Sequence, residues 1–88
     1  MTLKIQRYDV ANSTVFELRG RIKAEHIKEL QALLDSGKAA LQIVIDLKEV
    51  RIVDREAVAF LAKCEAAGIT LKDCPDYIRE WIAGIATN

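Results

Sequence analysis

The sequence has 88 residues, of which 51% are hydrophobic and 30% are charged, a balance typical of one globular domain rather than of a disordered chain. Thirteen basic residues balance thirteen acidic ones, and the resulting zero net charge counts against nucleic acid or an anionic membrane as the partner. No apolar run approaches the roughly 18 residues of a membrane span, and Met1-Thr2-Leu3-Lys4 does not open a signal peptide. We therefore expect a single domain over residues 1–88, located in the cytoplasm.

Four strands are predicted. Apolar and polar residues alternate from Leu3 to Tyr8 and again from Thr14 to Arg19, which ends at Gly20, and the polar connection between them predicts an antiparallel hairpin. The nearly continuous apolar run from Leu41 to Leu47 is typical of a central strand covered on both faces, followed by a short extended link, Val50 to Val53. Ile69 to Lys72 is a short fourth strand.

Three helices alternate with the later strands. The first runs from Lys23 to Ser36 and is ended by Gly37, the second runs from Arg55 to Ala67 with Asp54 as its N-cap, and the third opens at Pro75. The order β-β-α-β-α-β-α predicts an α/β fold. We expect a mixed four-stranded sheet, built from an N-terminal antiparallel hairpin and parallel βαβ units, with the helices packed mainly on one face.

Reactive side chains are few. The single histidine, His26, is expected to be a solvated surface residue, and Cys64 and Cys74 are expected to be reduced thiols, with Cys64 in the core. No catalytic residue, metal site or cofactor is predicted. Asp46, expected at the end of the central strand, and Asp54 could together bind a cation or act as acid and base. The favoured interpretation is that Asp54 caps a helix and Asp46 ends a strand.

Three segments carry a resemblance to a known family. Leu41–Asp54 contains a strand with Asp-Leu, a hydrophobic link and an Asp before a helix, and this pattern resembles the signature of the STAS domain. Val15–Ile22 resembles the second strand of that family and its glycine, and Gly68–Leu71 resembles its last central strand. The family includes anti-sigma-factor antagonists and the cytoplasmic tails of sulfate transporters. The order of elements agrees over nearly the whole chain.

The regulatory loop departs from the family pattern. In the phosphorylatable members the Asp is followed by two hydroxyl residues, of which the second accepts phosphate, and then by Gly. Here Asp54 is followed by Arg55, Glu56 and Ala57, and no Ser or Thr lies between Gly37 and Thr70. Glu56 is thus a degenerate phospho-acceptor position. Its carboxylate either imitates a phosphoryl group in part or only opposes the helix dipole, and the second interpretation is favoured.

The resemblance implies a non-enzymatic protein–protein interaction domain of bacterial signalling. Its partner would be a switch-type kinase that is also an anti-sigma factor, or another STAS protein, bound at Asp54, Arg55, Glu56 and Val58. On the last helix, Tyr77 and Trp81 are either packed in the core or partly exposed, and an exposed aromatic residue there is a candidate for an interface.

Two other functions stay open. One is a small-molecule or lipid sensor, which needs a cavity between helix and sheet, and the large Phe60, Leu61 and Trp81 count against such a cavity. The other is a metal-assisted hydrolase that uses Asp46 and Asp54.

Overall fold

A computed structural model describes residues 3–36 and 42–86 of the chain. The order of elements is the predicted one, with a short 3₁₀ turn, Ala24–His26, before the first α-helix. The strands are β1 (Lys4–Val10), β2 (Ser13–Ile22), β3 (Gln42–Val53) and β4 (Thr70–Lys72). The helices are α1 (Ile27–Ser36), α2 (Arg55–Ala66) and α3 (Asp76–Ala86). The predicted cap Gly37 and the predicted strand start Leu41 lie outside the described residues.

The four strands form one sheet in the order β1-β2-β3-β4. β1 pairs with β2 antiparallel through the two-residue turn Ala11–Asn12, and β2–β3 and β3–β4 are parallel. The mixed sheet with an N-terminal hairpin, parallel βαβ units and three helices is confirmed.

The apolar core lies between one face of the sheet and the helices. Phe16, Ile45 and Leu71 stand side by side on neighbouring strands, and all three are buried. From the helices, the buried residues that complete this cluster are Leu30, Leu34, Ala57, Val58, Phe60, Leu61, Cys64, Ile78 and Ile82. Burial of these side chains is the main stabilising contribution to the fold.

β3 differs most from the prediction. It continues through the expected link to Val53, so Asp46 lies in the middle of the strand rather than at its end. Twice along its pairing with β2, β3 advances one residue more than β2, between Glu17 and Arg19 and between Gly20 and Arg21. These bulges break the alternation of the strand, so that Leu47, Val50 and Val53 are all buried three residues apart. Because a strand is recognised in a sequence by apolar residues at every second position, apolar residues three positions apart do not indicate one.

Two further boundaries need correction. Gly20 does not end β2, since the strand runs on to Ile22 and Gly20 takes φ +98 beside the second bulge. The central strand is not covered by helices on both faces, because Val44 lies on the face opposite Ile45 and is only half-buried. That helix-free face carries mostly polar side chains in the described part of the chain.

Candidate functional site

The candidate site begins at Asp54, which joins β3 to α2. The Asp54 Oδ1 atom accepts a hydrogen bond from the Ala57 backbone N–H at 2.9 Å and so caps α2, as predicted. The Oδ2 atom accepts from the Ala24 N–H at 2.8 Å, and the Asp54 N–H donates to the Ile22 carbonyl at 3.2 Å. One carboxylate therefore fastens the segment after β2 to the start of α2. The sequence pattern predicted the cap but not the second bond, which crosses 30 positions of sequence.

Arg55 and Glu56 form the first turn of α2, and both side chains are exposed. The cap at Asp54 fixes the rotation of the helix, so that the next two positions, Ala57 and Val58, point inward. Val58 is fully buried in the core, which corrects its assignment to the partner-binding surface. A side chain with no exposed area cannot contact a partner in this conformation.

Ile52 supplies the apolar side chain that Val58 was expected to supply. It is 47% exposed, two residues before Asp54, and it is among the large hydrophobic residues that the described surface exposes. Its exposure follows from the second bulge of β3, which turns Ile52 outward between the buried Val50 and Val53. Sequence reasoning missed Ile52 because bulges leave no signal in the hydrophobic pattern.

α3 reaches the same end of β3. The Tyr77 hydroxyl donates a hydrogen bond of 2.8 Å to the Arg51 carbonyl, beyond the point where β4 stops pairing with β3. The ring of Tyr77 is nevertheless 45% exposed, and Trp81, one helical turn further along α3, is 40% exposed. Of the two alternatives for these aromatic residues, the structure shows partial exposure. We call Ile52, Arg55 and Glu56 the α2-start surface.

The structure separates Asp46 from Asp54. Eight residues of extended strand place the two carboxylates roughly 20–25 Å apart, and Asp46 lies on the helix-free face of the sheet. The two groups therefore do not converge, as a hydrolase based on this pair requires. Within residues 3–36 and 42–86, no three His, Cys, Asp or Glu side chains form a cluster that could hold a metal ion.

His26 and the two cysteines do not form a reactive cluster with Asp46 or Asp54 in the described part of the chain. His26 is half-buried rather than solvated, since its Nδ1 atom accepts a hydrogen bond of 3.0 Å from the Lys23 backbone N–H. Burial raises the pKa of the Cys64 thiol to about 11 and also raises the pKa of Cys74. Both cysteines are free thiols. A thiol with a raised pKa is a poor nucleophile at neutral pH.

A cleft of about 410 Å³ opens between α1, α2 and the start of β3. Its apolar lining includes Leu34, Ile43, Phe60 and Ile69, and Lys63 lies at its rim. Phe60 therefore lines a cavity instead of filling it, and Trp81 is exposed on α3, so two of the three residues expected to exclude a ligand do not do so. None of the helices in the described ranges is long and apolar enough to cross a membrane.

No protein-family model matches the chain, and no curated protein matches its sequence. Solved structures do match its fold. The unphosphorylated anti-sigma factor antagonist SpoIIAA is similar with a TM-score of 0.68 and 15% identity, over 94% of this chain and 81% of its own. A STAS-domain antisigma-factor antagonist from Rhodobacter sphaeroides gives 0.62 and 14%, over 84% of this chain and 92% of its own.

Two further structures extend the comparison. A protein of the DUF3478 family with a SpoIIAA-like fold, from Shewanella loihica, gives a TM-score of 0.59 and 17% identity over 97% of this chain and 76% of its own. In the structure named Mglu, with a TM-score of 0.61 and 19% identity, the match covers 81% of this chain but only 19% of that chain. The chain thus has the SpoIIAA-like fold of STAS domains, and the resemblance seen in its sequence is confirmed at the level of the fold.

Proposed function

We propose that this chain is a non-enzymatic protein-interaction domain of bacterial signalling that binds its partner through the α2-start surface. The observation that carries the proposal is that neighbouring side chains at the start of α2 have different roles. Both carboxylate oxygens of Asp54 are used inside the protein, whereas Arg55 and Glu56 beside it are exposed. In a STAS-like fold this is the place that the family resemblance assigns to partner binding.

The composition of the surface supports a protein partner. Ile52 offers exposed apolar area close in sequence to one cation and one anion, Arg55 and Glu56, and interfaces commonly combine such an apolar anchor with a charged rim. The partner class that fits is a switch-type kinase that doubles as an anti-sigma factor, or a second STAS protein. Asp54 acts in this proposal as the residue that positions the surface.

Binding by the α2-start surface is tested with charge reversal. Arg55→Glu is expected to weaken binding to the partner recovered from the native cell by about tenfold or more, because it replaces an attraction with a repulsion. The substitution places a negative charge at the N-terminus of α2, where the helix dipole favours it, so folding is not weakened. Calorimetry with the purified partner measures the change.

The matched control is Lys63→Glu, the same reversal on an exposed residue in the last turn of α2. We expect Lys63→Glu to retain wild-type affinity. Equal affinity of wild type and Arg55→Glu, together with a loss for Lys63→Glu, would place the interface at the other end of α2 and contradict the proposal.

Regulation by phosphorylation at this loop is not part of the proposal, since residues 54–57 contain no hydroxyl group. Incubation with a switch kinase and ATP is expected to leave the Asp54–Ala57 peptide unmodified by mass spectrometry. Glu56→Gln separates the two interpretations of Glu56. If Glu56→Gln, with Arg55 retained, binds the partner more weakly, Glu56 acts in part as a phosphoryl mimic. If partner binding is unchanged and the free energy of unfolding falls slightly, Glu56 acts by opposing the helix dipole.

A small-molecule or lipid sensor is the second candidate, and the apolar cleft between α1, α2 and β3 is the observation that favours it. Mass spectrometry of an organic extract of the native protein tests this function. A stoichiometric fatty acid in the extract, displaced by Phe60→Trp, would establish it.

A further inference from the structure

β1 is an edge strand whose outer side has no neighbouring strand in the described sheet. The order of the sheet is β1-β2-β3-β4, so β1 pairs with β2 alone. The strand is seven residues long, contains no proline and pairs with β2 without a bulge. Such a regular edge presents backbone groups that can pair with a further strand. The geometry of β1 therefore permits the sheet to continue into a second chain.

The backbone groups at the open edge belong to the odd-numbered residues of β1. The two-residue turn makes Val10 and Ser13 a hydrogen-bonded pair, and bonded and non-bonded pairs alternate along an antiparallel ladder. The N–H and C=O groups of Tyr8 therefore point toward β2, whereas those of Arg7 and Asp9 point to the open edge. A second antiparallel strand with its own outward residues opposite these two exchanges a pair of hydrogen bonds with each.

On the helix-free face, a row of side chains ends at this edge. Val44 of β3 stands beside Val15 of β2, and Val15 stands beside Tyr8 of β1. Val15 is buried, whereas Tyr8, at the end of the row, is 38% exposed. Val10, the next residue on the same face of β1, is 55% exposed. The row therefore stops at an exposed ring where the sheet stops.

The other face of β1 carries two opposite charges. Arg7 and Asp9 lie two residues apart on the side of the helices, since Arg7 stands beside the core residue Phe16. The Arg7 Nε atom is 4.0 Å from Asp9 Oδ1, and the same oxygen accepts a hydrogen bond of 2.9 Å from the Thr14 hydroxyl. Both charged side chains are exposed. Each can therefore also face an opposite charge across the edge.

We propose that β1 pairs antiparallel with β1 of a second copy of this chain, about a twofold axis at Tyr8. This register places Arg7 of each chain opposite Asp9 of the other, so that four charges of alternating sign lie together. It also places the two Tyr8 rings opposite each other, and opposed aromatic residues and opposite charges both stabilise a strand pair. The row from Val44 to Tyr8 then continues into the same row of the second copy. The two four-stranded sheets become one sheet of eight strands.

Neighbouring registers lack this complementarity. Because the open-edge groups belong to odd-numbered residues in both copies, a twofold axis passes through a residue of β1 rather than between two residues. An axis at Arg7 places two arginines opposite each other, and an axis at Asp9 does the same with two aspartates, which is destabilising. An axis at Gln6 places both charged residues opposite apolar ones. The charges on one face and the row on the other thus select the same register.

The pairing is independent of partner binding at the α2-start surface, and it is weak. A contact along one strand edge lies at the low end of interface sizes, below about 1,200 Å² of total buried surface, so we expect a dissociation constant of about 0.1–1 mM. Sedimentation equilibrium of the whole chain up to about 2 mM measures it. Hydrogen exchange at the Arg7 and Asp9 amides should slow at least about twofold at the highest concentration, because these groups join the new ladder. Exchange at Tyr8, which is already bonded to β2, should not change.

Exchanges of charge test the register. Arg7→Asp makes both positions acidic and Asp9→Arg makes both basic, so each variant alone should dimerise at least about tenfold more weakly. A mixture of the two variants restores both pairs of opposite charges and should form a heterodimer with about the wild-type affinity. Lys4→Glu, outside the overlap of residues 6–10, has the same net charge as Arg7→Asp and is the control. It should dimerise like wild type and should not restore association to Asp9→Arg.

A third variant does not depend on the contacts that Arg7 makes within the chain, a hydrogen bond of 3.3 Å to the Ser36 hydroxyl and a position over the Phe16 ring. Tyr8→Lys, at the exposed axis, should abolish the dimer, because two lysines then stand directly opposite each other. A chain that stays monomeric at about 2 mM, a dimer that persists in Tyr8→Lys, or a mixture of the folded charge variants that does not associate would overturn the proposal. A dimer that is lost in Arg55→Glu but retained in Asp9→Arg would also overturn it and would place the contact at the α2-start surface.

Discussion

At the scale of single residues, Asp54 shows how one side chain can serve two elements. An N-cap Asp ordinarily stabilises only the helix that it caps, but here the second carboxylate oxygen also accepts a hydrogen bond from the Ala24 N–H. The exposed neighbours Arg55 and Glu56 depend on this anchor, since a displaced α2 start would present them differently. The family resemblance pointed to a site whose central residue is structural.

Asp54→Ala is expected to lower the free energy of unfolding by about 1–3 kcal/mol, because the cap and the bond to the Ala24 N–H are lost together. The loss for Asp54→Asn should lie between that for Asp54→Ala and none. Its amide oxygen can still cap α2, whereas its NH₂ group would face the Ala24 N–H, which is also a donor. Urea titration measures both. Glu80→Ala, on the exposed face of α3, should change stability by less than about 0.5 kcal/mol. A loss for Asp54→Ala no larger than that of Glu80→Ala would contradict the double role.

Two glycines give opposite expectations for the same substitution. An added Cβ atom meets no heavy atom within 4 Å at Gly68 or at Gly84, so space does not distinguish them. Gly84 lies within α3, and Gly84→Ala is expected to stabilise the protein by about 0.5–1 kcal/mol. Gly68 has φ +99 after α2, and Gly68→Ala should destabilise it by about 1 kcal/mol or more. Thermal unfolding of the two variants should shift in opposite directions, and a shared sign would refute this account.

Burial of Cys64 makes stability depend on alkaline pH. Burial raises the pKa of this thiol from 9.0 to about 11 in the folded chain, so the unfolded chain loses the proton first. Stability is therefore complete below about pH 9 and falls as the pH rises toward 11. Urea titrations across this range should show a flatter dependence for Cys64→Ala than for wild type. Parallel curves for the two proteins would show that Cys64 does not contribute.

At the scale of elements, β3 organises the molecule. It is 12 residues long, whereas β4 has three, so the second half of β3 has no strand on its outer side in the described sheet. α3 occupies part of that edge through the bond from the Tyr77 hydroxyl to the Arg51 carbonyl. The Nη1 atom of Arg79 donates to both carboxylate oxygens of Glu65, at 2.8 and 2.7 Å, and this ion pair joins the start of α3 to the end of α2.

Tyr77→Phe removes the bond to β3 and retains the ring. The expected loss of stability is about 0.5–1.5 kcal/mol, the usual net contribution of one hydrogen bond. Tyr8→Phe, at the exposed tyrosine of β1, is the matched control and should cost less than about 0.5 kcal/mol. Hydrogen exchange should also accelerate near Arg51 in Tyr77→Phe alone. Unchanged exchange there would show that α3 does not hold the β3 edge.

At the scale of the whole molecule, the two faces of the sheet differ in what covers them. One face is sealed by three helices and supplies the core, and its end carries the α2-start surface. The other face carries mostly polar side chains in the described part of the chain.

The sequence by itself determined the order of the elements, the hairpin and the N-cap of α2, because these depend on local periodicity and on neighbouring residues. It also showed the STAS-like pattern and the missing hydroxyl groups after Asp54. Only the tertiary structure decided the length of β3, the burial of Val58, the exposure of Ile52 and the second bond of Asp54. The physical reason is that bulges and long-range hydrogen bonds depend on the strand or helix that lies alongside, and no local pattern encodes that neighbour.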